Sequence, residues 1–352
     1  MNRARQAIAA TLGLGVLVAG CASAAHLKAL QPAAVPSSPA ASVPEVTTAR
    51  PMLRGIDIDA YTWPGQDIKA AAAADIAYVK SLHANAVSVS FPFYMAGPHA
   101  AGVYATRATP SPAQLAVIAR DAARAGLYVS ARPLLDEANL GYARADLHLR
   151  YPRRWFASYR RFLLPYARMA QLAGVSELVT GTELTNVRRS PLWGPLNAAL
   201  RRVYRGTLAF DSNWWGNPRL AGAGGTGVQE AVDAYPPVAS PLTAGWEAYD
   251  ATLPRGTVES EVGIAAAPGA FARPWLHQWP GQPVTPQTQA RWFAAACQAA
   301  AATHLGGIYF WSIPLSARLG GPTGASPLSW ADSAGARAIA ACFASLDRKA
   351  SA

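Results

Sequence analysis

Past Pro51 the chain repeats one texture, a short apolar run followed by a longer alanine-rich stretch. The short runs, rich in β-branched and aromatic residues, read as strands: Arg54–Tyr61, Ala86–Tyr94, Leu127–Leu135, Glu177–Leu184, Gly206–Trp215, Ala231–Pro236, Thr257–Ile264 and Gly306–Pro314. The longer stretches read as helices, among them Ile68–His83, Ser111–Ala125, Tyr151–Ala173, Pro191–Val203 and Pro286–His304. Two of these open on the expected start signals, Thr109-Pro110-Ser111-Pro112 and Thr285-Pro286. Eight strand-helix units in this order predict an α/β fold, a single (β/α)8 TIM barrel over residues 51–352. A doubly wound sheet is the weaker choice, because no Gly-rich phosphate fingerprint follows the first strand. Internal sequence repeats are not evident.

In such a barrel the active site forms at the carboxyl ends of the strands. Polar and aromatic residues gather there: Asp57, Asp59, Tyr61 and Trp63, then Arg132, Glu183, Asn213, Trp214, Trp215, Tyr235, Glu261 and Trp311. Aromatic faces stack on the apolar faces of sugar rings while carboxylates and amides bind hydroxyls, so a carbohydrate suits this mouth best. The fourth strand, within SELVTGTELTN (Ser176–Asn186), ends on Glu183; the seventh, TVESEVGI (Thr257–Ile264), delivers Glu261. Two glutamates facing each other across a glycosidic bond supply an acid and a nucleophile or base, and their separation decides retention or inversion. The acid needs a raised pKa, the nucleophile a low one supported by donors, for which Tyr235, Arg132 and Asn213 stand ready.

Glu259 shares strand parity with Glu261 and is expected one layer deeper, as a structural residue paired with Arg132. Asp57 and Asp59 either hold a sugar hydroxyl or complete that internal charge network. Trp63, Trp215 and Trp275 are expected to pack rather than to bind. None of the six histidines falls in a ligand spacing such as HxxxH, so neither a catalytic metal nor a cofactor is expected. The G-x-S-x-G elbow of a serine hydrolase is absent.

Composition adds a large core, with 51% hydrophobic and 14% charged residues in 352, and a formal net charge of +11. Arginine supplies most of the positive charge, but as scattered pairs (Arg153 and Arg154, Arg160 and Arg161, Arg188 and Arg189, Arg201 and Arg202) that read as solvated helix faces rather than a nucleic-acid surface. Residues 1–21 carry a basic start, an apolar core and Val18-Ala19-Gly20-Cys21, which resembles a bacterial lipobox with the lipid on Cys21; an ordinary signal peptide cleaved near Ala22 to Ala25 is the alternative. Residues 22–50, rich in Ala, Pro and Ser, read as a tether. Export, cell-surface or periplasmic location, membrane attachment through that lipid and a monomeric state are the corresponding expectations. Cys297 and Cys342 lie in alanine-rich helical segments, where a disulfide and a reduced pair are equally compatible with the sequence.

TGTELTN, LAFDSNWW, VDAYPPV, ESEVGIAAAPGAFARPW and GGIYFWSIP, in that order and spacing, resemble the motifs of the fourth to eighth strands of glycoside hydrolase family 113, a group of clan GH-A with β-mannanase activity. VSVSFPFYM and AGLYVSARP extend the resemblance over nearly all of Pro51–Leu346. It implies that Glu183 is the acid/base and Glu261 the nucleophile, that Tyr235 contacts the nucleophile, and that Trp214 and Trp311 line the sugar subsites. The chain departs from the family's pattern at Ser260, where threonine is usual, and at Ile264, where tyrosine is usual. A retaining β-glycoside hydrolase acting on a mannan-like or other β-linked polysaccharide or oligosaccharide follows. A non-catalytic carbohydrate-binding or envelope-associated lipoprotein on the same barrel is the competing expectation.

Overall fold

The computed structural model describes residues 51–215 and 224–350, so the leader, the tether and Cys21 lie outside the described residues. Nine strands form, β1 (Leu53–Asp59), β2 (Ala86–Met95), β3 (Val103–Tyr104), β4 (Tyr128–Leu135), β5 (Glu177–Thr182), β6 (Thr207–Asn213), β7 (Gln229–Asp233), β8 (Val258–Val262) and β9 (Gly307–Pro314). Eight of them are parallel neighbours in the order β1-β9-β8-β7-β6-β5-β4-β2, and pairing of β1 with β2 closes the ring. This is the expected (β/α)8 barrel, and each of the eight strands falls on its sequence-derived run. The two-residue β3, absent from the sequence reading, adds an antiparallel flap to the end of β2.

Helices α1 (Ile68–Ser81), α2 (Pro112–Arg124), α3 (Pro152–Ala173), α4 (Trp193–Arg201), α5 (Leu242–Asp250), α6 (Pro286–Ala302) and α7 (Ala334–Ala350) cover the ring. Their starts are local chemistry. Ser111 caps α2 in a reciprocal box with Gln114, and Asp67 accepts the Ala70 amide at the start of α1. The layer between helices and strands is packed with fully buried rings, Trp155, Trp193, Trp246, Trp292 and Trp330. Gly181 shows how tight the fit is: a Cβ there would stand 2.6 Å from the Phe210 ring and 2.8 Å from Trp193. The arginines Arg153, Arg154, Arg160, Arg161, Arg201 and Arg202 are exposed, as solvated faces would be.

Inside the ring the layers differ in chemistry. The floor is apolar, made by Leu53, Ala86, Ala231, Val258 and Tyr309. The registers Asp59 with Ser90, and Ser90 with Arg132, then place a polar layer at the carboxyl ends.

Two strands break their alternation where they carry the glutamates. On β8 the partners of Val232 and Asp233 are Glu259 and Glu261, so Ser260 is an inserted residue. A bulge of this kind turns consecutive side chains to one face. Ser260 and Glu261 therefore both point inward, while Glu259 faces the helices. This corrects the expected pairing of Glu259 with Arg132, which relied on unbroken parity: the buried Glu259 carboxyl lies beside that of Asp250 on α5. On β5 an extra residue falls between Val179 and Thr182, and Glu183 adopts φ 55°. A non-glycine residue in this left-handed region costs about 1 kcal/mol or more, a strain held by the surrounding packing.

Cys297 on α6 and Cys342 on α7 are bridged, with Cα atoms 6.5 Å apart. The bond closes a loop across a sequence separation of 45. Loop-closure entropy of the unfolded chain makes such a bond worth about 2–4 kcal/mol. Thermal melts of the wild type should fall on addition of reductant, and a Cys297→Ala/Cys342→Ala variant should melt at the lower temperature with or without reductant.

The Glu259 and Asp250 carboxyls supply a pH dependence of opposite sign to that of an ordinary ion pair. Burial, then the neighbouring Asp250, pushes Glu259 well up, and burial pushes Asp250 up to about 7. The folded chain thus keeps protons that the unfolded chain loses at roughly pH 4. Stability from this pair is complete below that value and is lost as pH rises toward 7. Glu259→Gln keeps a donor for Asp250 without a second acid. Calorimetric scans from pH 4 to 7 should show the decline in Tm become shallower, by an amount on the order of 1 kcal/mol in stability.

Candidate active site

The polar layer is organised around Arg132 of β4, which is fully buried. Its Nε donates to Asp211 of β6 at 2.7 Å, its Nη2 to Asp233 of β7 at 2.5 Å, and its Nη1 faces Glu261 of β8 at 2.8 Å and Ser90 of β2 at 3.3 Å. Burial alone would pull this guanidinium's pKa down; Asp233, Glu261 and Asp211 outweigh that and push it well up. The sequence named Arg132 as a donor for the nucleophile, and its Nη1 faces Glu261. Every nitrogen of the guanidinium is occupied below the surface. Asp211 and Asp233 were not singled out in the sequence; the available signal was an acid embedded in each of two apolar strands, in LAFDSNWW and VDAYPPV.

Glu261 has a second donor. The Tyr235 hydroxyl donates to its Oε1 while Arg132 stands at Oε2. Burial, and then the Glu261 charge, push the phenol well up, so it stays a donor. Gly263 makes the contact sterically feasible: a Cβ there would lie 3.0 Å from the Tyr235 hydroxyl and 3.4 Å from Trp311 Cβ. Ser260 donates to Asp233 at 2.8 Å, tying the bulge to the Arg132 cluster.

Glu183 has a different surrounding. Asn213 Nδ2 donates to its Oε1, and the Thr185 hydroxyl donates to Asn213 Oδ1, which fixes the amide with its NH2 toward Glu183. Asn213 thus serves the other glutamate from the one its donor role suggested. At Oε2, Arg144 Nη1 donates at 2.7 Å. Arg144 was missed in the sequence; it comes from a short turn, Arg144–Asp146, in the loop between β4 and α3. Burial raises the Glu183 pKa, Arg144 opposes this, and the negative charge of Glu261 raises it further.

The two aspartates of β1 separate. Asp57 is fully buried beside Ser88, its register partner, and burial pushes its pKa well up; it belongs to the interior layer. Asp59, one step further, lines a cavity of about 340 Å³ with His277, Gln278, Trp311, Ser312, Pro314 and residues 325–329. Burial and the Glu261 charge push Asp59 up to about 7. Trp311 forms one wall, with the Arg132 guanidinium 5.6 Å from its ring centroid and its carbonyl accepting from Trp330 Nε1 at 2.9 Å. His277, also missed in the sequence, is pulled down by burial.

Trp214 stacks on Trp275 at 5.5 Å and meets Trp215 edge-on at 5.5 Å. Trp215 and Trp275 thus pack on Trp214 while staying 53% and 40% exposed, and Trp63 is 53% exposed. The reason is that loops after the strands, not the strands, carry them. Ile264, where the resembled pattern has tyrosine, is fully buried and offers no hydroxyl. Among the described residues no group of three or more His, Cys, Asp or Glu is placed to hold a metal ion, and no helix is long and apolar enough to cross a membrane.

The arrangement holds one carboxylate rigidly between two buried donors and a second, with raised proton affinity, within its field. Such a pair is equipped to attack and to protonate the two sides of one bond. A β-mannanase from Alicyclobacillus acidocaldarius superposes with a TM-score of 0.69 at 22% identity, covering 84% of this chain and 98% of that one. A β-1,4-mannanase superposes at 0.72 and 17%, covering 84% and 100%. A family 5 mannosidase from Rhizomucor miehei superposes at 0.53 and 11%, covering 86% and 95%. At these identities the likeness is one of fold. No curated protein sequence matches the chain. The sequence model of Glycoside Hydrolase Family 113, however, matches residues 61–318, most of the barrel and both glutamate-bearing strands, and the chain belongs to that family.

Proposed function

We propose that the chain is a retaining β-glycoside hydrolase that cleaves a mannan-type polysaccharide or oligosaccharide, with Glu261 as nucleophile and Glu183 as acid/base. The observation that carries this reading is the asymmetry between the two carboxyls. The Tyr235 hydroxyl donates to one Glu261 oxygen and the Arg132 guanidinium pairs with the other, which holds the nucleophile in place. Burial and the Glu261 charge give Glu183 the raised proton affinity of an acid.

In the first step a Glu261 oxygen bonds to the anomeric carbon as the glycosidic C–O bond breaks, and the Glu183 proton passes to the leaving oxygen. In the second, water attacks that carbon, its proton returns to Glu183, and the bond to Glu261 breaks. Two inversions give net retention. Asn213 and Thr185 hold the Glu183 carboxyl toward the bond. Trp214, with Trp275 stacked on it, and Trp311 supply faces for sugar rings, and Asp59 stands at the edge of the cavity to receive a hydroxyl. The mannanase names of the similar structures favour a mannan as substrate.

Glu261→Gln should reduce hydrolysis of β-manno-oligosaccharides to background. Glu183→Gln should reduce it roughly 10²–10⁴-fold. The same Glu183 variant should still release an activated aryl group in a first turnover, since that leaving group needs no proton. NMR of the first product should show the β anomer. Unchanged hydrolysis in both variants would remove the enzyme reading.

Export and anchoring belong to the same proposal, with Cys21 carrying the lipid and residues 22–50 spanning the distance to the barrel. In a bacterial host, wild-type chain should sediment with membranes and Cys21→Ser should be recovered in the soluble fraction. A soluble wild type would overturn the anchor.

A further inference from the structure

Arg144 stands between two carboxylates. Its Nη1 donates to Glu183 Oε2 at 2.7 Å, while its Nε lies 3.3 Å from Glu137 Oε1 and donates to the Leu135 carbonyl at 2.8 Å. Glu137 is held in place by Arg144 itself, since its Oε1 accepts the Arg144 backbone amide at 2.7 Å. The guanidinium is only 18% exposed and Glu137 40%, so the first faces the cleft and the second the solvent edge of the same loop. Arg132 contrasts at every point: it is fixed by carboxylates from three strands and has no second position to occupy.

The contact with Glu183 poses a chemical problem that the reaction has to resolve. An acid must carry a proton when it meets the leaving oxygen, yet Asn213 donates to one Glu183 oxygen and a cation donates to the other. Such a cation favours the ionised form, and works against the rise in proton affinity that burial and Glu261 impose on this carboxyl. We propose that Arg144 is a detachable counter-ion: it positions Glu183 as a carboxylate in the free enzyme, and the entering sugar displaces it onto Glu137, leaving Glu183 to take up the proton it then donates. The inference rests on the acid/base assignment of Glu183.

Proton uptake balances without any further reagent. The guanidinium keeps its protons and changes only its partner, and Glu183 gains one proton from solvent, which the leaving oxygen receives when the glycosidic bond breaks. After departure of the leaving group, Glu183 is again a carboxylate, the form that accepts a proton from the attacking water. Return of Arg144 would favour that form. Arg144 is thus a positioning residue.

Other charges facing Glu183 do not offer the same switch. Glu261 from β8, Asp233 from β7 and Arg132 from β4 are fixed in the buried cluster, Asn213 from β6 is uncharged, and burial pushes the His277 pKa down. Among the described residues, Arg144 and Glu137 form the ion pair that sits on a loop with partial access to solvent.

Full pH profiles of kcat/KM and of kcat on a β-manno-oligosaccharide test this, because the first reports the free enzyme and the second the complex. Removing the cation raises the Glu183 pKa in the free enzyme, so the acid stays protonated to higher pH. Arg144→Gln should move the basic limb of kcat/KM upward by about one pH unit. The basic limb of kcat should stay where it is in the wild type, since Arg144 has already left Glu183 there. Glu137→Gln removes the receiving carboxylate, and should move the basic limb of kcat downward as Arg144 stays on Glu183. A limb that moves equally in both profiles of Arg144→Gln would show a permanent contact, and limbs that move in neither would show no electrostatic role; either overturns the proposal. Should Arg144→Gln fail to fold, the Glu137→Gln profile decides alone, and an unmoved kcat limb there overturns it. If Glu183→Gln leaves oligosaccharide hydrolysis intact, the acid/base assignment itself has failed, an outcome separate from those of the Arg144 profiles.

Discussion

The guanidinium of Arg132 is the constraint on which the upper half of the barrel depends. A buried cation is expensive, and leaving any of its partners out would expose an uncompensated charge in a medium of low polarity. The chain meets the cost with Asp211, Asp233 and Glu261 from three successive strands, and with Ser90 from a fourth. Those bonds tie β2, β4, β6, β7 and β8 across the interior of the ring. Because one of the carboxylates is Glu261, the interaction that organises the polar layer also fixes the position of the proposed nucleophile. Pre-organisation of the site is therefore part of the fold rather than an addition to it.

The backbone makes this possible by departing from regular strands. Parallel strands alternate sides strictly, and strict alternation would send Glu261 out to the helices if Ser260 points in toward Asp233. The extra residue in β8 lets both face inward and hands Glu259 to Asp250 instead. On β5 the extra residue and the left-handed backbone at Glu183 aim the second carboxyl over the ring. Both irregularities sacrifice ladder regularity at the strand ends, where loss of a bond matters least to the barrel and side-chain direction matters most to the site.

This also explains which parts of the chain were legible from residues alone. The eight barrel strands and the two glutamates lie in runs whose composition is dictated by burial on both faces, so the apolar pattern shows them directly. The flap strand β3, of two residues, is too short for such a pattern. Glu259 was misplaced because parity counts residues and a bulge inserts one. Arg132 was read as a donor to the nucleophile, but its full burial depends on Asp211 and Asp233, whose convergence on one point requires the closed ring. Trp63, Trp215 and Trp275 lie on loops, where no period says which way a ring turns. Arg144 lies in a loop as well, and nothing in its neighbours marks it as reaching Glu183.

The two proposed catalytic carboxyls are thus supported by cations of opposite character. Arg132 is a strand residue with no alternative partner, suited to a group that must keep its charge and its place until it bonds to carbon. Arg144 is a loop residue with a second carboxylate already at hand, suited to a group that must be charged at one stage and neutral at another. A single electrostatic environment cannot serve both needs, because whatever holds one glutamate ionised raises the question of how the other acquires a proton. The barrel answers it by division of labour: interior strands supply the permanent charge, and the loops above them supply the charge that moves.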